Sequence, residues 1–169
     1  MEADELTYPV HLRGAALRLS GGEGRDSLGL GTWTITDESL AMGSGPECFR
    51  EATRRLLGWE AHRFAGVHVT ETGADTVSLR FGPTVSPCLI LDRVTTPTRT
   101  VLVYGTLPGH VESGEEAFII EMHGDATVTG RCVAFSRPAR FWARLGAPLA
   151  RGVQLWITRR YLRGMRRSA

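Results

Sequence analysis

Residues 104–118, YGTLPGHVESGEEAF, carry a dense group of side chains that could perform acid–base chemistry. His110 could act as a general base that Glu112 or Glu116 orients, and Tyr104 could hold a substrate oxygen. A carboxylate beside apolar walls has a raised pKa and could act as an acid. We therefore predict His110, Glu112, Glu116 and Tyr104 as candidate catalytic residues.

The same stretch also has the features of a structural hairpin. Glu115 and Glu116 could accept hydrogen bonds from backbone N–H groups, and the Ser-Gly step suits a tight turn. His110 and Glu112 are residue types that bind transition metals, but their spacing has no specific signature. The residues leave the structural and the chemical interpretation open, and we expect no metal site.

Composition restricts the cofactor chemistry. All twenty basic residues are Arg, so the chain has no lysine for a Schiff base with pyridoxal phosphate or for a P-loop. It has no dinucleotide-binding GxGxxG motif either, and we expect no cofactor. Asn is also absent, which is typical of a GC-rich genome such as an actinobacterium's. Cys48, Cys88 and Cys132 lack zinc-site spacing and are predicted to be free, buried thiols.

Length and charge indicate the class of protein. The 169 residues suit one domain, 1–169. No apolar run reaches the roughly 20 residues of a membrane span, and the acidic start shows no signal peptide, so we expect the cytoplasm. The last eleven residues, RRYLRGMRRSA, hold five Arg and no acid. We interpret them as a solvated helix end in preference to a membrane-surface contact, and we expect no nucleic-acid partner.

Seven segments have the alternation of β-strands. They are residues 33–42, 67–71, 76–81, 86–94, 99–107, 116–122 and 127–135. Because the links between the last six are too short for crossover helices, the sheet must be antiparallel.

Two segments have helical spacing. The first follows Ser44, which with Glu47 resembles a capping box, and Gly58 is expected to bend or end it. The second is a long C-terminal helix over 138–166, interrupted at Pro148. Its predicted apolar stripe consists of Trp142, Leu145, Leu149, Val153 and Trp156. Residues 1–31 are weakly patterned and predicted to be irregular.

This order of elements predicts an α+β helix-grip fold, with a seven-stranded antiparallel sheet curved around the C-terminal helix. A cavity between sheet and helix is the expected site for a small apolar or aromatic molecule. The predicted ligand-binding residues are Trp59, Val103, Thr106, Phe118, Trp142 and Trp156. His62 could face this cavity or end a helix, and we favour the helix end.

The strings FREATRRLLGWEAHRFAGV, YGTLPGHVESGEEAF and FSRPARFWARLGAPLARGVQLWITRRYLRGM resemble uncharacterised protein family 0548, as does LTYP near the N-terminus. The resemblance covers roughly residues 6–166, and residues 12–31 match it poorly. The family is similar to the START and birch-pollen-allergen superfamily, which implies a helix-grip fold. That superfamily includes lipid carriers, hormone receptors, polyketide cyclases and a Pictet–Spengler condensing enzyme, so the fold does not select one function.

Three functions follow as hypotheses. The first is a carrier or sensor of a small hydrophobic molecule, which needs only an apolar cavity. The second is a cofactor-free cyclase or condensing enzyme, which needs titratable groups inside that cavity. The third is a protein that docks on a membrane or partner through its Arg-rich C-terminus. The sequence sets neither the ligand nor the oligomeric state.

Overall fold

The computed structural model describes residues 6–139 and 147–166. Seven strands form one sheet. They are β1 (Thr34–Ser44), β2 (His68–Glu71), β3 (Thr76–Phe81), β4 (Thr84–Thr95), β5 (Arg99–Thr106), β6 (Glu112–Met122) and β7 (Thr127–Pro138). Their order across the sheet is β1-β7-β6-β5-β4-β3-β2, and neighbouring strands run antiparallel. The sequence predicted this α+β helix-grip fold, and the prediction is confirmed.

The described residues include four α-helices that accompany the sheet. They are α1 (Ala15–Ser20), α2 (Gly45–Leu57), α3 (Glu60–Phe64) and α4 (Ala147–Met165). The break between α2 and α3 lies where Gly58 predicted an end, and Trp59 there has a left-handed φ of 62°. Ser44 is the N-cap of α2, but its side chain makes no capping hydrogen bond, so the predicted capping box is not formed in this way.

The two faces of the sheet carry separate cores. On one face, α2, α3 and the C-terminal half of α4 pack around side chains such as Phe118, Leu102 and Tyr161. On the other face, residues 6–33 pack against Val103 and neighbouring side chains. The sheet is therefore covered on both sides, and the weakly patterned N-terminal segment forms one of the two layers. That segment includes α1 and a 3-10 helix at Val10–Leu12, so it is not wholly irregular.

The C-terminal helix differs from its prediction at its start. Strand β7 continues to Pro138, and the described helix begins at Ala147, with Pro148 in its first turn, where proline is tolerated. Trp142 and Leu145 lie outside the described residues. Trp156 is 50% exposed and does not belong to a buried stripe. The stripe that α4 buries consists instead of Thr158, Tyr161, Leu162 and Met165.

Two further expectations concern thiols and membranes. Cys88 and Cys132 are buried free thiols, as predicted, and Cys48 is a half-buried one. Within residues 6–139 and 147–166, the helices are too short or too polar to cross a bilayer.

Candidate functional site

A cavity of about 580 Å³ lies between the sheet and α4. This volume falls within the roughly 300–1,000 Å³ of small-molecule sites. Strands β3 to β7, the turn before β6 and α4 supply its walls. Its aliphatic and aromatic lining includes Val67, Leu79, Phe81, Val111, Ala134, Ala150, Val153 and Ile157. The cavity can therefore enclose a small molecule with a substantial apolar surface.

Alternation along β6 places two carboxylates on the cavity side. Glu112 and Glu116 are four residues apart and both line the cavity. In the sheet, Glu116 lies opposite Tyr104 of β5, so their side chains are neighbours on one face. Thr106, two residues beyond Tyr104, also lines the cavity and bonds to both N–H and C=O of Gly114. The strand register thus brings together Tyr104, Thr106, Glu112 and Glu116.

Glu116 lies at the centre of a buried hydrogen-bond network. The Tyr104 hydroxyl donates to its Oε2 over 2.6 Å, and the Cys132 thiol donates to its Oε1 over 3.3 Å. Burial raises the pKa of Glu116, while these two donors lower it. Burial, followed by the nearby Glu116 carboxylate, also raises the pKa of Tyr104 well above its usual range. Tyr104 therefore remains a protonated hydrogen-bond donor at neutral pH.

Glu112 is the titratable group best suited to exchange a proton near neutral pH. Burial and the neighbouring Glu116 raise its pKa to about 7, against the opposing effect of Arg151. Gln154 of α4 approaches Oε2 of Glu112 with its amide nitrogen at 3.4 Å. At pH 7 the Glu112 carboxyl therefore divides between its charged and neutral forms.

His110 lies in the turn that leads into β6. Its Nδ1 accepts a hydrogen bond from the backbone N–H of Glu112 over 2.9 Å, which leaves the proton of the neutral ring on Nε2. Burial lowers the pKa of His110 to about 4, so the ring is neutral at pH 7. Gly109, at φ +99°, forms the corner that turns His110 back towards the strand. His110 both stabilises the turn and lines the cavity.

The two adjacent glutamates of β6 have different roles. Glu115 accepts hydrogen bonds from the Tyr8 hydroxyl at 2.7 Å and from the backbone N–H groups of Gly14 and Ala16 at 2.9 and 3.0 Å. This carboxylate fixes the N-terminal segment to the face of the sheet away from α4. The prediction that Glu115 and Glu116 both bind backbone N–H groups is correct for Glu115, whereas Glu116 binds side-chain donors.

The other predicted ligand residues that the structure describes do not line the cavity. Val103 points to the opposite face of the sheet and packs in the N-terminal core, so its assignment to the cavity is corrected. Phe118 is buried below the cavity, where its ring contacts those of Tyr104 and Tyr161. Trp156 is half exposed, with the Arg160 guanidinium 5.0 Å from its ring centre.

Trp59 and Trp142 are the other two tryptophans that were predicted to bind the ligand. Trp59 occupies the break between α2 and α3, and its indole N–H donates to Glu71 over 3.1 Å. Trp59 is not among the residues that line the cavity in the described part of the chain. Trp142 lies outside the described residues, so its predicted role stays a prediction.

The sequence predicted the position of His62 in its helix but not the burial of its side chain. It lies in the last turn of α3, as expected, yet its side chain is fully buried. Its Nε2 lies 3.3 Å from the Tyr104 hydroxyl, which extends the network from Glu116 to α3. Burial lowers the pKa of His62 to about 3, so the ring is neutral. Tyr161 and Gln154 of α4 also line the cavity, and neither stood out in the sequence.

The described residues offer no group of three or more His, Cys, Asp or Glu side chains arranged to hold a metal ion. The cavity is lined by carboxyl, phenol and imidazole groups, which can perform acid–base and hydrogen-bonding chemistry.

The sequence profile of a domain of unknown function, DUF1990, matches residues 22–164. The chain belongs to this family. A UPF0548 protein of Deinococcus radiodurans is 31% identical over 149 aligned positions, which cover 77% of this chain and 75% of the relative. A UPF0548 protein of Arabidopsis thaliana is 28% identical over 130 positions, covering 68% of this chain and 62% of the plant protein. The predicted resemblance to family 0548 is confirmed.

A solved structure extends the likeness to the fold. A hypothetical protein from Helicobacter pylori superposes with a TM-score of 0.56 at 9% identity, over 79% of this chain and 85% of that one. At this identity the similarity concerns the fold alone. The function must therefore be argued from the cavity of this chain.

Proposed function

We propose that the chain binds a small, mainly apolar molecule in the cavity between the sheet and α4. The supporting observation is the cavity volume of about 580 Å³, whose walls are largely aliphatic and aromatic. Polar groups are concentrated near the start of β6, where Glu112, His110 and Gln154 would orient the ligand. Such a site selects a ligand that has an apolar body and one polar end.

A second function, cofactor-free acid–base catalysis, is favoured by one specific observation. Glu112 has a pKa of about 7 and faces the cavity, so it can give or take a proton at neutral pH. Tyr104 supplies a protonated hydroxyl on the same face of the sheet. A cyclase or condensing reaction requires only proton transfers of this kind, with no metal or bound cofactor.

Nile red, a neutral apolar dye, tests the binding proposal by fluorescence titration. Ser86 lines the cavity, and a Ser86→Phe substitution places a ring inside it. Its neighbour Val85 is 53% exposed on the opposite side of β4, so Val85→Phe is the matched control. We expect Ser86→Phe to weaken Nile red binding by about tenfold or more and Val85→Phe to leave it unchanged. Equal affinity in all three proteins, each shown to be folded by circular dichroism, would overturn the proposal.

Native mass spectrometry of the protein from its own source organism distinguishes carriage from catalysis. The co-purifying molecule is recovered and incubated with fresh protein. A mass change with the wild type and none with Glu112→Gln supports catalysis. An unchanged mass with both proteins supports a carrier.

A further inference from the structure

The polar end of the cavity is acidic in a chain that is slightly basic as a whole. The sequence has 20 basic and 18 acidic residues, and all the basic ones are Arg. Nevertheless, the described lining of the cavity contains Glu112, Glu115 and Glu116 but no arginine. The Glu115 carboxylate is bound by Tyr8, Gly14 and Ala16, which leaves those of Glu112 and Glu116 to consider. A buried carboxylate needs a counter-charge or hydrogen-bond donors. A ligand with a positive charge or with N–H or O–H donors could provide them.

The Arg151 guanidinium does not neutralise the pair directly. Arg151 of α4 lowers the pKa of Glu112, but its nitrogens donate to the Ile35 carbonyl at 2.9 Å, the Thr36 hydroxyl and the Gln154 amide oxygen. It forms no ion pair with Glu112 in the described part of the chain. Its hydrogen bonds instead fix α4 to β1.

The two carboxylates are not equally satisfied. Both oxygens of Glu116 accept hydrogen bonds, from Tyr104 and Cys132. Glu112 has only the 3.4 Å contact of Gln154 with Oε2, and its Oε1 has no hydrogen-bond partner among the described residues. Glu112 is therefore the carboxylate that is available to a ligand.

The rings around the cavity also suit a cation. Tyr104, Tyr161 and Phe81 line the cavity, and aromatic faces attract ammonium groups through their quadrupoles. His110 is neutral at pH 7, because burial lowers its pKa to about 4, so it does not repel a positive charge. The walls of this cavity thus offer an ammonium group a carboxylate, aromatic rings and a neutral imidazole.

We propose that the ligand of this cavity is a hydrophobic amine, whose protonated nitrogen pairs with the Glu112 carboxylate while its apolar body fills the space under α4. This inference rests on the proposed binding function and adds the chemical class of the ligand. When the amine binds, a protonated Glu112 releases its proton, because the ion pair requires the charged carboxylate.

Three probes with the same phenyl-terminated chain test the class of ligand by isothermal titration calorimetry at pH 8. They are 4-phenylbutylamine, 4-phenylbutan-1-ol and 4-phenylbutyrate. We expect the amine to bind about tenfold to a hundredfold more tightly than the alcohol, as a charge-assisted hydrogen bond implies. The carboxylate should bind most weakly. An amine that binds no better than the alcohol overturns the inference.

The pH dependence identifies the carboxylate. The titratable and charged groups of the described chain that face Glu112 are Glu116 on β6, His110 in the preceding turn and Arg151 on α4. With the Glu112 pKa at about 7, affinity for the amine should fall about tenfold from pH 8 to pH 6, and affinity for the alcohol should not. A flat amine profile overturns the inference.

A matched pair of variants on β6 completes the test. Glu112→Gln should remove the preference for the amine and its pH dependence, whereas Glu121→Gln, on an exposed position of the same strand, should keep both. Preserved selectivity in Glu112→Gln overturns the inference. Nile red binding separates the two proposals, since a protein that binds Nile red without preferring the amine retains the binding function alone. A protein that binds neither Nile red nor any phenyl probe overturns both.

Discussion

Glu112 should make the protein less stable as the pH rises, and Glu112→Gln should remove this effect. Burial and Glu116 raise the pKa of Glu112 from 4.5 to about 7 in the folded protein. Between these values the native state holds a proton that the unfolded chain has released. The free energy of unfolding therefore decreases with increasing pH across this window.

The size of the effect follows from the two pKa values. The interval from 4.5 to about 7, at about 1.4 kcal/mol for each pH unit, gives about 3 kcal/mol. The Glu112 contribution is absent below pH 4.5 and complete above pH 7. Replacement by Gln keeps an oxygen that can accept from the Gln154 amide, so the two proteins differ chiefly in charge. Relative to wild type, Glu112→Gln should gain about 3 kcal/mol in stability between pH 4.5 and pH 8.

Two buried histidines have the opposite effect on the wild-type curve. Burial lowers the pKa of His110 to about 4 and that of His62 to about 3, so the unfolded chain binds more protons than the native state below about pH 6.5. Their contribution to stability therefore rises with pH up to about 6.5. Subtracting the wild-type curve from the variant curve removes these contributions and isolates Glu112.

Urea unfolding monitored by tryptophan fluorescence, at intervals from pH 4.5 to 8.5, measures this difference. Glu121→Gln is the control, because it removes the same charge from an exposed position of β6. A Glu112→Gln difference that stays constant with pH would show that Glu112 titrates normally in the folded protein. The argument for an uncompensated carboxylate in the cavity would then be refuted.

Two predictions concern the elements that support the cavity. Gly164→Ala should lower the free energy of unfolding, measured by heat or urea, by about 1–3 kcal/mol, because the new Cβ would lie 2.9 Å from the Ala61 backbone. Gly152→Ala on the same helix should raise the free energy of unfolding by about 0.5–1 kcal/mol, because its Cβ meets no described atom within 4 Å. Equal effects of the two would contradict the close α3–α4 contact. Glu115→Ala should cost on the order of 3 kcal/mol and expose the N-terminal segment to proteolysis, because it leaves two buried donors and one partly buried donor unpaired. Unchanged stability and cleavage would contradict this role.

The strand order was predictable because short polar links leave an antiparallel meander as the only simple arrangement. The predicted start of β6 at residue 116 was late by four residues. The Ser-Gly step before it predicts a turn, but Gly114, at φ +156°, lies inside the strand where a Cβ would overlap the Phe135 carbonyl. Glycine serves here for close approach of two backbones, and sequence alone does not separate this use from a turn.

The buried residues of the C-terminal helix were not predictable from helical spacing alone. Spacing of three or four predicted a buried stripe that ends at Val153 and Trp156, but these residues are 38% and 50% exposed. This part of α4 covers a cavity and not a packed core, so its apolar residues lack the dense contacts that a stripe implies. The buried stripe begins later, with Tyr161 among its members, where α4 meets α3.

Which residues face the cavity was the hardest part of the site to predict. Strand β5 is buried along nearly its whole length, because the N-terminal segment covers the face that α4 leaves free. Alternation therefore separates Val103 from Tyr104 without indicating which of them faces the cavity.

For the two adjacent glutamates of β6, the sequence alone predicts that their side chains have different environments. Neighbouring residues of a strand point to opposite faces, so the carboxylates of Glu115 and Glu116 lie on opposite sides of the sheet. If one carboxylate faces a ligand, the other must be satisfied by whatever covers the opposite face, and here Gly14 and Ala16 supply those donors. The same parity places the Glu112 side chain with that of Glu116 and directs the Glu115 side chain to the opposite face. The structural and the chemical interpretations of this stretch are therefore compatible, because alternate residues carry them.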